Sequence, residues 1–526
     1  MKKTIPFLII TAFTLCLLCA CDPSIQSDFS GYRVLGLIEP RNSTEITISP
    51  WGIQIGTNNP EALKIAASIG VKWIRLSASW PAIEKEKGVY HWNATDQSFA
   101  AVIESGIAPF VVLHGGNSLY TTAFSNNDAK IAEIYGSKPG PPTQSPEAMA
   151  AWLRFVEATV SRYRHRITHW EIWNEPNHFA YWGGEPDPFV YGRLVRNTAK
   201  VIKTIQPEAV IIGGSMAGLD PTFTDGFLAN GTYKWLDIIT FHNYGVIPEQ
   251  RMYAAADVRA VIDKYNPAIQ LWQGECGYPS HSSTRDYRGL SPWGLNIQAK
   301  WLLRQSFTDV FFCGAEMSNY FKLVHRGEYG KIQKRSFMTA IDSVLGFPER
   351  GGSRVRTLGV NEKCLLAHNT WEPKPAFYAY RNLCAVLDGR YMKSNNIKPE
   401  LEIKSTGDFY GIGKYDDAFP SQPLVATFRS DNGDILIAWW LPWQAQENIL
   451  HPAEINLTLE NAVFREPVML DPLTGKIYPI IKVSSSSREY VTTFIQLPML
   501  DYPLIITEKD EIIIVKKPAV MESFHR

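Results

Sequence analysis

The most constraining feature of this sequence is a rhythm. After Trp51 a short apolar run, a loop and an amphipathic stretch follow one another repeatedly. Eight apolar runs read as strands: Gly52–Gly56, Trp73–Ser77, Pro109–His114, His169–Asn174, Val210–Gly214, Ile238–His242, Gln270–Glu275 and Val310–Glu316. Between several of them apolar residues recur at three- and four-residue steps. Pro146–Arg164 is one such helix, with Met149, Trp152, Leu153, Val156 and Val160 on one face. Phe189–Ile205, Ala254–Tyr265 and Ile297–Phe307 follow the same pattern. Alternation of this kind predicts an α/β fold, either a (β/α)8 barrel or a doubly wound sheet.

The chain changes character twice more. Lys322–Trp371 is rich in Gly, Arg and Lys and reads as an excursion before a last helix, Pro375–Leu387. From about residue 393 the pattern becomes alternating strands and turns, with hairpin signals in the turn before Ile435 and at Leu473–Lys476. That stretch predicts a β-sandwich. At 526 residues, with 45% hydrophobic side chains, the chain has material for more than one core. The division expected is a barrel over 51–392 and a sandwich over 393–526, preceded by a tether and lead-in strand over 21–50.

Residues 1–20 read as a targeting segment. Lys2 and Lys3 precede an apolar run, Ile5–Ala20, that is short for a membrane span. It ends in Leu18-Cys19-Ala20-Cys21, which resembles a bacterial lipobox. The resemblance implies an exported protein held at a bacterial inner or outer membrane by lipid on Cys21. Cys276, Cys313, Cys364 and Cys384 follow no zinc spacing and read as buried thiols. A formal net charge of zero gives no basic surplus for nucleic acid. Nothing in the motifs calls for a metal or another cofactor.

The stretch HWEIWNEPN, His169 to Asn177, carries the chemistry. An apolar run there ends in a carboxylate, and burying Glu175 costs several kcal/mol unless it is paired or neutralised. In a (β/α)8 barrel the reactive end is the C-terminal end of the strands. Glu175 stands at that end of the fourth run, and Glu275, in LWQGECGYPS, at that end of the seventh. Two such carboxylates at one rim suit glycoside hydrolysis, in which one donates a proton and the other attacks carbon or activates water. Glu316 is the rival for the second role. Glu171, one pleat deeper than Glu175, reads as an interior salt-bridge member. The 16 Trp and 23 Tyr are also suited to stacking on sugar rings.

Asn-Glu-Pro after a Trp-rich fourth strand, with a seventh-strand Glu about 100 residues later, resembles clan A of the retaining glycoside hydrolases. The match runs from about Trp51 to Gly389 and favours the barrel over the doubly wound sheet. The resemblance implies Glu175 as acid/base and Glu275 as nucleophile. It places Asn174 on the sugar's 2-hydroxyl, Arg75 beside the nucleophile, and Tyr244, in FHNYG, as a donor to it. His242 is expected to share that inward face, and His114 and His178 to line the sugar site. Trp173 is expected to wall Glu175, the group suited to carry the proton. The clan's eighth-strand Trp is missing; SNYF, Ser318–Phe321, stands there, so Asn319, Tyr320 or Trp293 is expected to floor the sugar. The function implied is cleavage of β-linked oligo- or polysaccharides by double displacement. A transglycosylase, or a sugar-binding lipoprotein without turnover, would use the same barrel.

Overall fold

The computed structural model describes residues 29, 32–55, 60–123, 139–244, 247–280, 293–324, 363–367, 370–409, 422–486 and 490–516. Cys21 and the targeting segment lie outside these residues, as do most of the excursion after Lys322 and the middle of the loop from Thr121 to Thr143. Among the described residues no helix is long and apolar enough to cross a membrane.

Eight parallel strands close into a barrel. In chain order they are Trp51–Gln54, Trp73–Ser79, Ala108–His114, His169–Ile172, Val210–Ala217, Ile238–His242, Gln270–Cys276 and Met317–Phe321. Seven match the apolar runs read from the sequence. The eighth does not: Val310–Glu316 is no strand. The seventh barrel helix, Leu295–Phe307, instead continues through a π-helical turn, Thr308–Phe312. The turn is held there by Asp309, whose buried carboxylate pairs with Arg251 at 3.1 Å and accepts from Ser318 at 2.8 Å. The strand then begins at Met317. Glu316 thus sits before the strand, at the closed end of the barrel, where its N–H donates to Leu271 O at 2.9 Å. It cannot reach the rim that carries Glu275.

The barrel interior is layered. Its floor is aromatic: Trp73 meets Trp272 and His169 at 5.0 Å each, and Phe110 meets Trp272 at 5.9 Å. Burial pushes the His169 imidazole down to about 4, so it packs as a neutral ring. Above this floor the interior turns polar. Arg75, Glu171 and Thr240 fill the next layer: Arg75 Nε donates to Glu171 at 2.6 Å, and Thr240 Oγ1 to its other oxygen at 2.5 Å. The expectation of an interior ion pair at Glu171 is met.

The second unit is a sandwich of an eight-stranded and a four-stranded antiparallel sheet. The lead-in strand, Gly36–Ile38, belongs to it. It lies between Lys476–Pro479 and Ile514–Val515 in the larger sheet. Tyr391–Lys393 is also a strand of that sheet. The four cysteines after the targeting segment are buried free thiols.

Candidate active site

The polar side chains at the C-terminal rim are aimed by departures from regular strand geometry. In the seventh strand Trp272 faces the interior, so plain alternation would turn Glu275 outward. An extra residue corrects this. Gln273 stands opposite Phe241 while Glu275 stands opposite His242, which leaves Gly274 unmatched. The bulge flips the face and brings Glu275 inside. Glycine suits the position because a Cβ there would lie 3.1 Å from His242 Nε2 and 3.3 Å from the Thr240 Cβ. The fifth strand carries a similar bulge between Gly213 and Met216. It sets Gly214 at φ 82° and Ser215 at φ 47°, and Ser215 points inward.

At the fourth strand the ladder stops with Ile172. Trp173 (φ 70°) and Glu175 (φ 48°) then take left-handed backbone, which costs about 1–3 kcal/mol each for side-chain-bearing residues. Hydrogen bonds to the neighbouring strands hold the distortion. Trp173 N donates to Leu113 O and Glu175 N to Ser215 O, both at 2.8 Å. Asn177 clamps Ala217 from both sides, accepting from its N–H at 2.8 Å and donating to its carbonyl at 3.1 Å. The polar end of HWEIWNEPN therefore does two things: it turns Glu175 into the barrel mouth and locks that turn to the fifth strand.

The result is a compact network. Glu275 accepts from Tyr244 Oη at 2.5 Å on one oxygen. On the other it accepts from Arg75 Nη1 at 3.1 Å and Gln54 Nε2 at 2.8 Å. Arg75 also donates to Asn174 Oδ1 at 2.9 Å and Ser215 Oγ at 3.0 Å. Glu175 lies 3.1 Å from His242 Nδ1, whose Nε2 is 3.4 Å from Ser215 Oγ. One donor atom each from Glu175, His242 and Glu275 lies within 4.8 Å of the others. These three are the metal-capable group among the described residues, but a cation would have to displace Arg75, Gln54 and Tyr244 from Glu275. Burial alone would push the Glu275 carboxyl up. His242, the Arg75 charge and the hydrogen bonds from Tyr244 and Gln54 more than offset this, and hold it below the usual carboxylate range.

Of the residues singled out in the sequence, Arg75, Asn174, Glu175, His242, Tyr244 and Glu275 come together here. His114 is half-buried at the mouth, with Nε2 2.5 Å from Ser77 Oγ. Four expectations are corrected. Trp173 does not wall Glu175: its ring packs outside the barrel against Trp152 and Trp182 at 5.9 and 5.8 Å, and Nε1 donates to Tyr181 O. Tyr320 also faces the helices, against Tyr380, with its hydroxyl on Lys363 O at 3.0 Å. Asn319 faces inward but is fully buried and donates to Gly274 O at 2.8 Å, so it braces the bulge. Trp293 is buried in a cluster with Tyr278 and Trp301. The aromatic that does reach the rim from the eighth strand is Phe321, edge-on to Tyr244 at 5.9 Å. Sequence reasoning missed it together with Gln54 and Ser215. A glutamine ending the apolar run WGIQ was a readable signal; the bulge that aims Ser215 was not.

No protein-family model matches the chain, and no curated protein matches it. Solved structures do. A family 39 glycoside hydrolase from the gut symbiont Bacteroides cellulosilyticus WH2 is 16% identical, with a TM-score of 0.58, over 88% of this chain and 81% of that one. A GH30 endoxylanase from Clostridium papyrosolvens C71 is 11% identical with a TM-score of 0.53, over 91% of this chain and 98% of its own. A monomeric beta-xylosidase from Caulobacter crescentus CB15 is 17% identical with a TM-score of 0.51, over 90% and 97%. At these identities the likeness is one of fold: the chain shares the barrel-and-sandwich architecture of glycoside hydrolases of families 39 and 30.

Proposed function

We propose that the chain is a retaining glycoside hydrolase acting on β-linked oligo- or polysaccharides. One observation carries this reading: the approach of Glu175 and Glu275 to within 4.8 Å, oxygen to oxygen. Retaining enzymes hold their two carboxyl groups about 5–5.5 Å apart, whereas inverting ones leave about 6.5–9.5 Å for a water. Glu275, fixed as an anion by three donors, attacks the anomeric carbon. Glu175 gives its proton to the departing oxygen. In the second step Glu175 takes a proton from water, which displaces Glu275 from the covalent intermediate. Asn174, whose Oδ1 accepts from Arg75, is assigned to the sugar's 2-hydroxyl in this reading. Because structures of the same fold include a beta-xylosidase and an endoxylanase, a β-linked xylose residue is the first substrate to try.

Product stereochemistry with azide tests the assignment. In Glu175→Ala, azide attacks the covalent intermediate, so the product keeps the substrate's configuration. In Glu275→Ala it displaces the leaving group directly and inverts it. Retention in the Glu275 variant, read by NMR, reverses the two roles. We further infer that the mature protein is anchored by lipid on Cys21, because the lipobox-like residues close a short apolar run. Labelled fatty acid should enter the unaltered protein and not Cys21→Ser; no label in the former ends that reading.

A further inference from the structure

We propose that Ser215 is a positioning residue for the acid/base. Its hydroxyl fixes which ring nitrogen of His242 carries a proton, and the imidazole in turn fixes which oxygen of Glu175 carries one. The inference rests on the reading of Glu175 as the acid/base.

Ser215 stands in the bulge of the fifth strand and is fully buried. Its backbone is held on both sides. Its N–H donates to Thr240 Oγ1 at 3.0 Å, and its carbonyl accepts from Glu175 N at 2.8 Å. The hydroxyl is thereby pinned between two groups: Arg75 Nη2 donates to it at 3.0 Å, and His242 Nε2 lies 3.4 Å away. A guanidinium has no lone pair to offer, so the hydroxyl's own hydrogen cannot go to Arg75. Among the described residues, His242 Nε2 is the acceptor left for it. Were Nε2 to carry a hydrogen as well, Ser215 Oγ would face two donors. Its own hydrogen would then be buried without an acceptor, which is costly.

The state of the other ring nitrogen follows. With Nε2 accepting, the proton of the neutral imidazole is on Nδ1. Nδ1 lies 3.1 Å from Glu175 Oε1, so it donates to that oxygen. A protonated Glu175 then carries its hydrogen on Oε2, free to go to a leaving group. The opposite tautomer would turn a lone pair on Oε1 and draw the carboxyl hydrogen into the interior. The His242 side chain is wholly buried, so both nitrogens are confined to these partners. A second proton on the ring, taken up in acid, gives the charge by which His242 helps keep Glu275 ionised. One continuous chain thus runs from nucleophile to acid/base: Glu275, Arg75, Ser215, His242, Glu175.

NMR of protein carrying isotope-labelled histidine nitrogens reads the tautomer directly. The ring signals lost in His242→Asn belong to His242. In the unaltered protein at neutral pH they should show a protonated Nδ1 and a bare Nε2, and in Ser215→Ala that preference should weaken or reverse. The opposite tautomer in the unaltered protein overturns the proposal. Kinetics read the consequence, with xylosides, glucosides and galactosides compared. Ser215→Ala should lower kcat/KM about tenfold on phenyl β-glycosides, whose leaving group needs the proton. The loss should be far smaller on dinitrophenyl glycosides of the same sugar, whose leaving group departs without it. His242→Asn offers an amide N–H toward Glu175 but has no tautomers, so Ser215→Ala should cost nothing more in that background. Equal losses on both leaving groups, or additive losses in the double variant, would place the effect in the fold or in Arg75 and overturn the proposal. If Glu175→Ala treats the two leaving groups alike, the acid/base reading fails and the positioning role fails with it, even where the nitrogen signals show the bond from Ser215 to His242.

Discussion

At the residue scale, the site is a problem in charge balance. Arg75 is buried and faces Glu171 at 2.6 Å and Glu275 at 3.1 Å. One cation between two carboxylates would serve both equally if nothing else intervened. Glu171 is sealed in the interior with Thr240 on its second oxygen, while Glu275 keeps an open side toward the mouth. After His242 and Arg75, the hydrogen bond from Tyr244 adds to what keeps Glu275 charged. A hydrogen bond to a charged group contributes about 1.5–3 kcal/mol, so Tyr244→Phe should lower kcat/KM about ten- to a hundredfold. The sign of the pH effect follows. The nucleophile works as an anion, and its anionic fraction falls as pH drops through its pKa. Tyr244 lowers that pKa, so removing the phenol raises it. The acidic limb of the kcat/KM profile in Tyr244→Phe should therefore move to higher pH. An unmoved limb would mean that the phenol serves the sugar rather than the nucleophile.

At the element scale, two glycines with similar sequence contexts have different jobs. A Cβ on Gly214 would meet Thr240 O at 2.7 Å, from a backbone at φ 82°. Left-handed backbone costs roughly 1–2 kcal/mol for a residue with a Cβ, and a backbone oxygen cannot step aside. Gly214→Ala should thus lower the melting temperature by several degrees. Gly274 has no such φ, and its nearest neighbour is the His242 ring at 3.1 Å. Gly274→Ala should leave melting nearly unchanged while shifting His242 against Glu175, lowering kcat about tenfold. Thermal melts beside kcat values separate the two; equal losses of stability would refute the distinction. These bulges also mark where the sequence stopped being legible. Seven strands were readable because apolar runs of strand length need burial wherever they pair. Glu175 and Glu275 were readable because carboxylates ending such runs need a task, whereas Arg75 and Tyr244 came from the resemblance to clan A. The bulges, the outward turn of Trp173 and the true eighth strand depend on partners far along the chain. Val310–Glu316 has strand-like residues, yet the Asp309–Arg251 pair holds its start helical.

At the scale of the whole molecule, the seventh barrel helix joins the two units. Every residue from Asn296 to Phe307 is buried, including Lys300 and Arg304, because the barrel covers one side and the sandwich the other. Arg304 donates to both oxygens of Glu249, at 2.7 and 2.8 Å, and to Trp443 O. Trp440 Nε1 adds 2.9 Å to Glu249, and Lys300 pairs with Asp501 at 3.0 Å. Glu249 lies on the segment that follows Tyr244, and the helix follows the strand of Glu275. The sandwich thus braces both sides of the proposed nucleophile, which argues for a supporting role rather than that of a separate sugar-binding module. Removing one partner of a buried pair leaves an uncompensated charge and costs about 3–5 kcal/mol. Glu249→Gln should therefore destabilise the whole chain by about that amount, in a single calorimetric transition at lower temperature. Replacing both partners, Glu249→Gln with Arg304→Met, should cost less than the two single changes added together, because no buried charge is left alone. An isolated 393–526 fragment should neither fold stably nor retain polysaccharide, since it lacks the strand Gly36–Ile38 and exposes Trp440. Two separate melting transitions in the unaltered protein, or tight polysaccharide binding by the fragment, would show that the sandwich is an independent module.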